Sequence, residues 1–246
     1  MTEHFVWSTI DTPSEVYGVH GAEGLTYWKC LARRDGLAGP WEAVEWASVP
    51  PGGVSGEHLH TRTEEVYFIL SGRGEILLNG EPRPVSPGDV VLTGVGSRHG
   101  LHNTGDGNLD WLVIEISSPH TAAALFGLDH HASEERMSGA AVYPLTANAE
   151  IDPTGILTGP LRRIRMAVLK PHAAETLTSD DTEHTVFVLR GSGTVTVGTA
   201  RAELRPGVAV TLPLGAKGEF TAGADGLEFF HTELAVSIGS GKADAA

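Results

Sequence analysis

The sequence predicts an all-β protein built as two related units in tandem, and three observations carry this. Short apolar runs of strand length recur along the whole chain, with little between them that reads as helix. Glycine accounts for 31 of the 246 residues, with 14 prolines besides, against a usual glycine share of ~7%, so turns are dense. Finally, Glu65–Gly74 (EVYFILSGRG) returns as His184–Gly193 (HTVFVLRGSG), an offset of 184 − 65 = 119. The same offset carries Pro87-Gly88 onto Pro206-Gly207, Gly96 onto Gly215 and Trp111 onto Phe230. A constant, gapless displacement marks an internal repeat.

In chain order, the first half offers strands over Ala43–Val49, Glu65–Leu70, Gly74–Leu78, Asp89–Thr93 and Leu109–Ile116. Turns at Pro51-Gly52-Gly53, Asn79-Gly80 and Pro87-Gly88 separate them, and Asn-Gly suits a two-residue hairpin. Pro119–Leu128 is the one helix candidate, followed by a polar stretch in which His130 and His131, beside Asp129, read as a solvated loop. The second half offers strands over Arg163–Leu169, Thr185–Leu189, Gly193–Val197, Val208–Leu212 and Leu227–Leu234. The expected division is an N-terminal unit over 1–120, a connector over 121–144, a C-terminal unit over 145–238 and a flexible tail over 239–246.

Charge and cysteine content narrow the function. There are 17 Lys+Arg against 31 Asp+Glu, a formal charge of −14. That balance excludes a nucleic-acid binder, which needs a basic footprint, and argues against docking on an anionic membrane. No apolar run reaches transmembrane length, and Met1–Phe5 lacks a basic-then-apolar targeting signal. A single cysteine, Cys30, allows neither an intrachain disulfide nor a cysteine-based zinc site, and reads as a small buried residue rather than a nucleophile. The expectation is a soluble cytoplasmic protein, monomer or homodimer, acting on a small molecule.

The 12 histidines hold the chemistry. His58 and His60 are two apart, so on a strand they share a face; Glu65 opens the next strand, and His99 follows a third. Three imidazoles and a carboxylate suit Fe(II), Mn, Co, Ni or Zn and poorly suit Ca or Mg. On a six-coordinate ion, two adjacent positions stay open for substrate, water or dioxygen. Tyr67 shares the face of Glu65 and points inward, either as a donor to bound substrate or as a packed core residue. Asn103 shares the face of His99, there to orient a ligand or to cap a turn, whereas His102 falls on the opposite face. Glu64, opposite Glu65, reads as solvated or as an interface residue. The five tryptophans, Trp7, Trp28, Trp41, Trp46 and Trp111, all lie in the first half, serving a pocket or the core.

These residues resemble the cupin superfamily. Gly52-(x5)-His58-x-His60-(x4)-Glu65-(x6)-Gly72 is similar to the first cupin motif, and Gly88-(x5)-Gly94-x-Gly96-(x2)-His99-(x3)-Asn103 to the second, with Gly94 where proline is usual. The resemblance implies two double-stranded β-helix (jelly-roll) barrels joined by a short helical connector. It also implies one divalent transition metal on His58, His60, Glu65 and His99, with Fe(II) first among the candidates. The 119 offset sets Leu177 against His58, Ser179 against His60, His184 against Glu65 and Gly218 against His99, so the second barrel is expected to be metal-free. The functional expectation is a metal-dependent oxygenase in which Glu65 can also serve as a base. Alternatives are a Lewis-acid isomerase, cyclase or lyase of polyketide or other specialised metabolism, or a non-catalytic small-molecule binder.

Overall fold

The computed structural model describes residues 4–18, 21–127, 138–147 and 149–236. Asp129, His130 and His131 of the connector, and the 239–246 tail, lie outside the described residues. The first half contains β1 (Val6–Thr9), β2 (Ser14–Tyr17), β3 (Leu25–Arg33), β4 (Trp41–Val49), β5 (Val54–Leu59), β6 (Thr63–Ser71), β7 (Gly74–Leu78), β8 (Glu81–Val85), β9 (Asp89–Thr93), β10 (Arg98–Asn103) and β11 (Leu109–Ser117). Helix α1 (Pro119–Phe126) follows. Its start is capped by the Ser118 hydroxyl, and it ends at Gly127 in the left-handed conformation. The second half contains β12 (Ala140–Pro144), β13 (Glu150–Ile151), β14 (Leu161–Leu169), β15 (Ala174–Thr178), β16 (Thr182–Val197), β17 (Ala200–Leu204), β18 (Val208–Leu212) and β19 (Lys217–Ala235).

Each half is a jelly-roll barrel. In the first, a seven-stranded sheet ordered β12-β9-β6-β11-β4-β3-β2 faces a four-stranded sheet ordered β5-β10-β7-β8. In the second, β16 and β19 run unbroken through both layers, so all the strands join one sheet with the path β1-β18-β16-β19-β14-β13. Strand alternation divides the side chains between two cores. Ala47, Val49, Tyr67, Ile69, Trp111 and Val113 point into the first barrel. Their neighbours Val44, Trp46, Phe68, Leu112 and Ile114 point outward and pack with Ile164, Phe187 and Phe230 of the second half. Phe68 and Phe230 stack there at 4.5 Å between ring centroids, one aromatic pair within this apolar cluster.

The glycine that the repeat preserves has a steric cause. Gly72 and Gly191 both have positive φ, and a Cβ would come within 2.4 Å of Asn108 O at the first and 2.2 Å of Gly226 O at the second. No other residue fits that approach of two backbones.

Strand pairing crosses between the halves. β1, at the start of the chain, pairs antiparallel with β18 of the second barrel, and β12, within the stretch expected to be connector, pairs with β9 of the first. Two buried glutamates reinforce the junction and are themselves related by the repeat (183 − 64 = 119). Glu64 accepts hydrogen bonds from Thr158 N, Thr158 Oγ1 and Gly159 N, each at 2.7 Å. Glu183 accepts from Ala38 N at 2.8 Å, Gly39 N at 2.9 Å, Trp41 Nε1 at 2.7 Å and Leu214 N at 3.0 Å. Each carboxylate thus sits in a nest of donors contributed mainly by the loop that opens the other half's barrel, which makes its burial tolerable. Of the two roles read for Glu64, the structure shows the interface one. No helix among the described residues is long and apolar enough to cross a membrane.

Candidate metal centre in the first barrel

Local pairing explains why four distant residues meet. His58 on β5 and His99 on β10 are direct cross-strand partners. The backbone of His60 is tied to the turn before β10, donating to Ser97 O at 2.9 Å and accepting from Gly96 N at 2.8 Å. Glu65 enters from β6 in the facing sheet. The ligand atoms of His58, His60, Glu65 and His99 all lie within 4.8 Å of one another, so the group can hold a metal ion. His99 Nε2 is 2.9 Å from Glu65 Oε2 and 3.2 Å from His60 Nε2; His60 Nε2 is 3.5 Å from the same carboxylate oxygen.

The outer ring nitrogens are occupied in a way that aims the inner ones. His58 Nδ1 lies 3.1 Å from Gly56 O, and a carbonyl acceptor requires the Nδ1–H tautomer, which leaves Nε2 with its lone pair. His99 Nδ1 is 2.8 Å from Thr93 Oγ1, and His60 Nδ1 is 3.5 Å from Thr63 Oγ1. Such partners behind the ring orient metal-binding histidines. Burial, opposed by the Glu65 charge, lowers the His60 pKa to about 4, so its imidazole is neutral and able to donate electrons at neutral pH. The donor set fits a borderline transition ion.

Tyr67 lies beside this cluster, its ring 4.6 Å from that of His99. Burial, and then the Glu65 charge, pushes its phenol pKa well above 10, so the hydroxyl can donate a hydrogen bond but is no base. Asn103 is placed elsewhere. Its Nδ2 donates to Val49 O at 2.9 Å and Gly107 O at 2.8 Å, while Oδ1 accepts from Gly105 N at 2.9 Å. Those bonds cap the β10–β11 turn, and none of them reaches the four clustered residues. His102 is exposed on the other face. Cys30 is half-buried, with its thiol pKa raised by burial, as expected of a packing residue. The tryptophans divide: Trp41 and Trp46 are core, Trp7 is exposed, and Trp28 and Trp111 line a cavity of about 80 Å³ beside the cluster.

That cavity also holds two glutamates not singled out in the sequence, Glu45 and Glu115. Both occupy inward positions: Glu115 is the cross-strand partner of Glu65, and Glu45 that of Val113. Burial, and then the Glu65 charge, raises the Glu115 pKa to about 7, so it is poised to exchange protons near neutrality. The signal was available, because Glu115 is in phase with Trp111 along a strand that the sequence does predict.

Fold and site together define a two-barrel β protein with a histidine–glutamate metal-binding cluster in one barrel. The family model for the cupin domain matches residues 45–115. An oxalate-binding protein of Thermotoga maritima is 30% identical over 105 residues, which cover 43% of this chain and 87% of the relative. The chain belongs to the cupin family, as a two-barrel member whose ligand set is complete only in the first barrel. Among solved structures, protein YlbA of E. coli superposes with a TM-score of 0.75 at 12% identity, covering 94% of this chain and 91% of that one. A salicylate 1,2-dioxygenase of Pseudaminobacter salicylatoxidans superposes at 0.60 and 17% identity, covering 80% and 72%. At these identities the two likenesses are of fold.

Proposed function

We propose that the protein is a metal-dependent enzyme acting on a small organic molecule in the first barrel, with His58, His60, Glu65 and His99 as ligands and Fe(II) as the first candidate ion. The observation that carries this reading is the convergence of four buried or half-buried ligand side chains beside a cavity, rather than in a closed core. Structural metal sites are closed, whereas catalytic ones keep room for another ligand. When bound, the metal would supply either electron transfer to dioxygen or polarisation of a substrate oxygen. Around it, His58 and His99 are held in fixed orientations by Gly56 and Thr93. Tyr67 offers a phenolic hydrogen to bound substrate, and Glu65 can take up a proton from it.

Oxygenase chemistry is the leading assignment, because this donor set leaves adjacent open positions. Lewis-acid chemistry, of an isomerase, cyclase or lyase, is the second reading, and a specific observation favours it: the Glu115 carboxyl lines the same cavity across from Glu65, placing a second carboxyl there for general acid–base catalysis. The test is to load the protein with Fe(II) anaerobically and add nitric oxide as a dioxygen surrogate. An S = 3/2 electron paramagnetic resonance signal from about one ion per chain is expected. No signal from iron-loaded protein contradicts the oxygenase assignment, and activity that persists without oxygen selects the Lewis-acid one.

A further inference from the structure

We infer that the cavity beside the metal cluster selects a small uncharged or cationic molecule carrying N–H or O–H donors, such as an amide, alcohol or amine, and disfavours carboxylate anions. The inference rests on the metal-site reading above and names the substrate class for it. Three carboxylates, Glu45, Glu65 and Glu115, line the cavity, and no lysine or arginine does so among the described residues. Trp28 Nε1 donates to Glu45 at 2.8 Å. The guanidinium of Arg33 stands 3.8 Å from Glu45 on a side chain 57% exposed, where solvent screens it.

The second barrel shows that this acidity is no requirement of the fold. There His231 pairs with Arg165 as Val113 pairs with Glu45, so the place of Glu45 is taken by an arginine. Glu233 pairs with His184 as Glu115 pairs with Glu65. Glu233 is neutralised by an ion pair with Arg163, its cross-strand neighbour, whereas the neighbour of Glu115 is Ala43. The first barrel therefore keeps a carboxylate, Glu45, where the second has Arg165, itself ion-paired with Glu175, and it sets Ala43 rather than an arginine across from Glu115.

Charge arithmetic and unused polar groups point the same way. A divalent ion carries two positive charges, and Glu65 with Glu45 already offsets both before Glu115 is counted. An incoming anion would add charge to a lining that holds three carboxylates and neither lysine nor arginine. Two further groups wait for partners in the cavity lining: Trp111 Nε1 and Thr26 Oγ1 are buried without a hydrogen-bond partner, on residues 2% and 8% exposed. A ligand with a carbonyl or hydroxyl oxygen for the indole N–H and N–H or O–H donors for the carboxylates satisfies both sides. The volume of about 80 Å³, roughly half of the ~150 Å³ that accommodates benzene, limits the enclosed part of the ligand to a few heavy atoms.

The test uses the full chain loaded with Mn(II) and two probes of equal shape, glycolamide and glycolate. Titration calorimetry is expected to show glycolamide binding about tenfold or more tighter than glycolate. Glu45→Gln and Glu115→Gln should each narrow that ratio about threefold or more, with manganese content, read by atomic absorption, unchanged. A wild-type preference for glycolate, binding of neither probe, or an unchanged ratio in both variants overturns the inference while the metal site stands. Wild-type protein that retains no manganese overturns the metal-site reading, and the inference falls with it.

Discussion

The two barrels share strands and turns, with the offset of 119 slipping by one residue along β19, where Phe229 rather than Phe230 takes the inward place of Trp111, yet their interiors have been put to opposite uses. In the first, His58, His60, Glu65 and His99 cluster, and His58 and Glu65 line a cavity. In the second, the corresponding space is filled by a hydrogen-bonded chain of side chains. Arg165 Nε donates to His231 Nδ1 at 2.8 Å, so the remaining His231 proton must sit on Nε2, which faces His184 Nδ1 at 3.0 Å. The His184 proton is thereby placed on Nε2, 3.2 Å from Thr178 O. Arginine cannot accept, so one residue sets the tautomer of both imidazoles. Burial, and then Arg165, holds the His231 pKa well below its ordinary value, and burial lowers that of His184. The lesson is that the second barrel differs by more than absent ligands: His231 fills the space beside Arg165, whose guanidinium is engaged by His231 and by an ion pair with Glu175.

The sharpest way to break this comparison is to remove one histidine from each barrel. His99→Ala is expected to reduce bound metal from about one ion per chain to near zero, while His184→Ala leaves it unchanged; both are read by elemental analysis after dialysis. Loss of metal in both variants would show that the barrels do not differ as described.

A second contrast concerns the matched buried glutamates. Glu183→Ala strands four donors and is expected to cost about 4 kcal/mol of stability. Glu64→Ala strands three and should cost about 3 kcal/mol. Urea unfolding measures both. Values within 0.5 kcal/mol of wild type, the range usual for surface changes, would mean that the junction does not depend on them.

The smallest expected effect is the pH dependence that Glu115 brings to the first barrel. The Glu115 pKa of about 7 in the folded metal-free protein lies above its ordinary value of 4.5. Its contribution to stability is therefore fully present below pH 4.5 and lost as pH rises through about 7. Compared with Glu115→Gln, the wild type should lose stability over that window by about 1–3 kcal/mol. The comparison cancels the opposite dependence of His60, whose contribution is lost as pH falls from 6.5 through about 4. A flat difference between the two proteins would contradict the raised pKa.

Much of this was legible in the sequence, and what was not has a common cause. The repeat and most of the strands could be read because turns at positions such as Gly72 and Pro87-Gly88 tolerate few other residues. The four clustered residues could be read because spacing along neighbouring strands translates directly into a shared face. The partners of Glu64 and Glu183 could not, since their donors come from loops up to 95 and 145 residues away. Glu45 and Glu115 were legible in principle from strand alternation, but an acidic residue in a strand reads first as solvent-facing. His231 stands at no ligand position of the offset, so only cross-strand pairing reveals that it fills the second barrel's site. Asn103 is buried, as its phase with His99 predicts, but its backbone partners are Val49 at the end of β4 and Gly105 and Gly107 of the turn rather than the cluster.

The central claim is that one barrel holds metal and the other has replaced it. Anomalous diffraction from crystals grown with Fe(II) or Mn(II), recorded at the metal edge, tests it most directly. A single peak per chain enclosed by His58, His60, Glu65 and His99, with none near His184 and His231, is the predicted result. A peak in the second barrel, or none in the first, would contradict it.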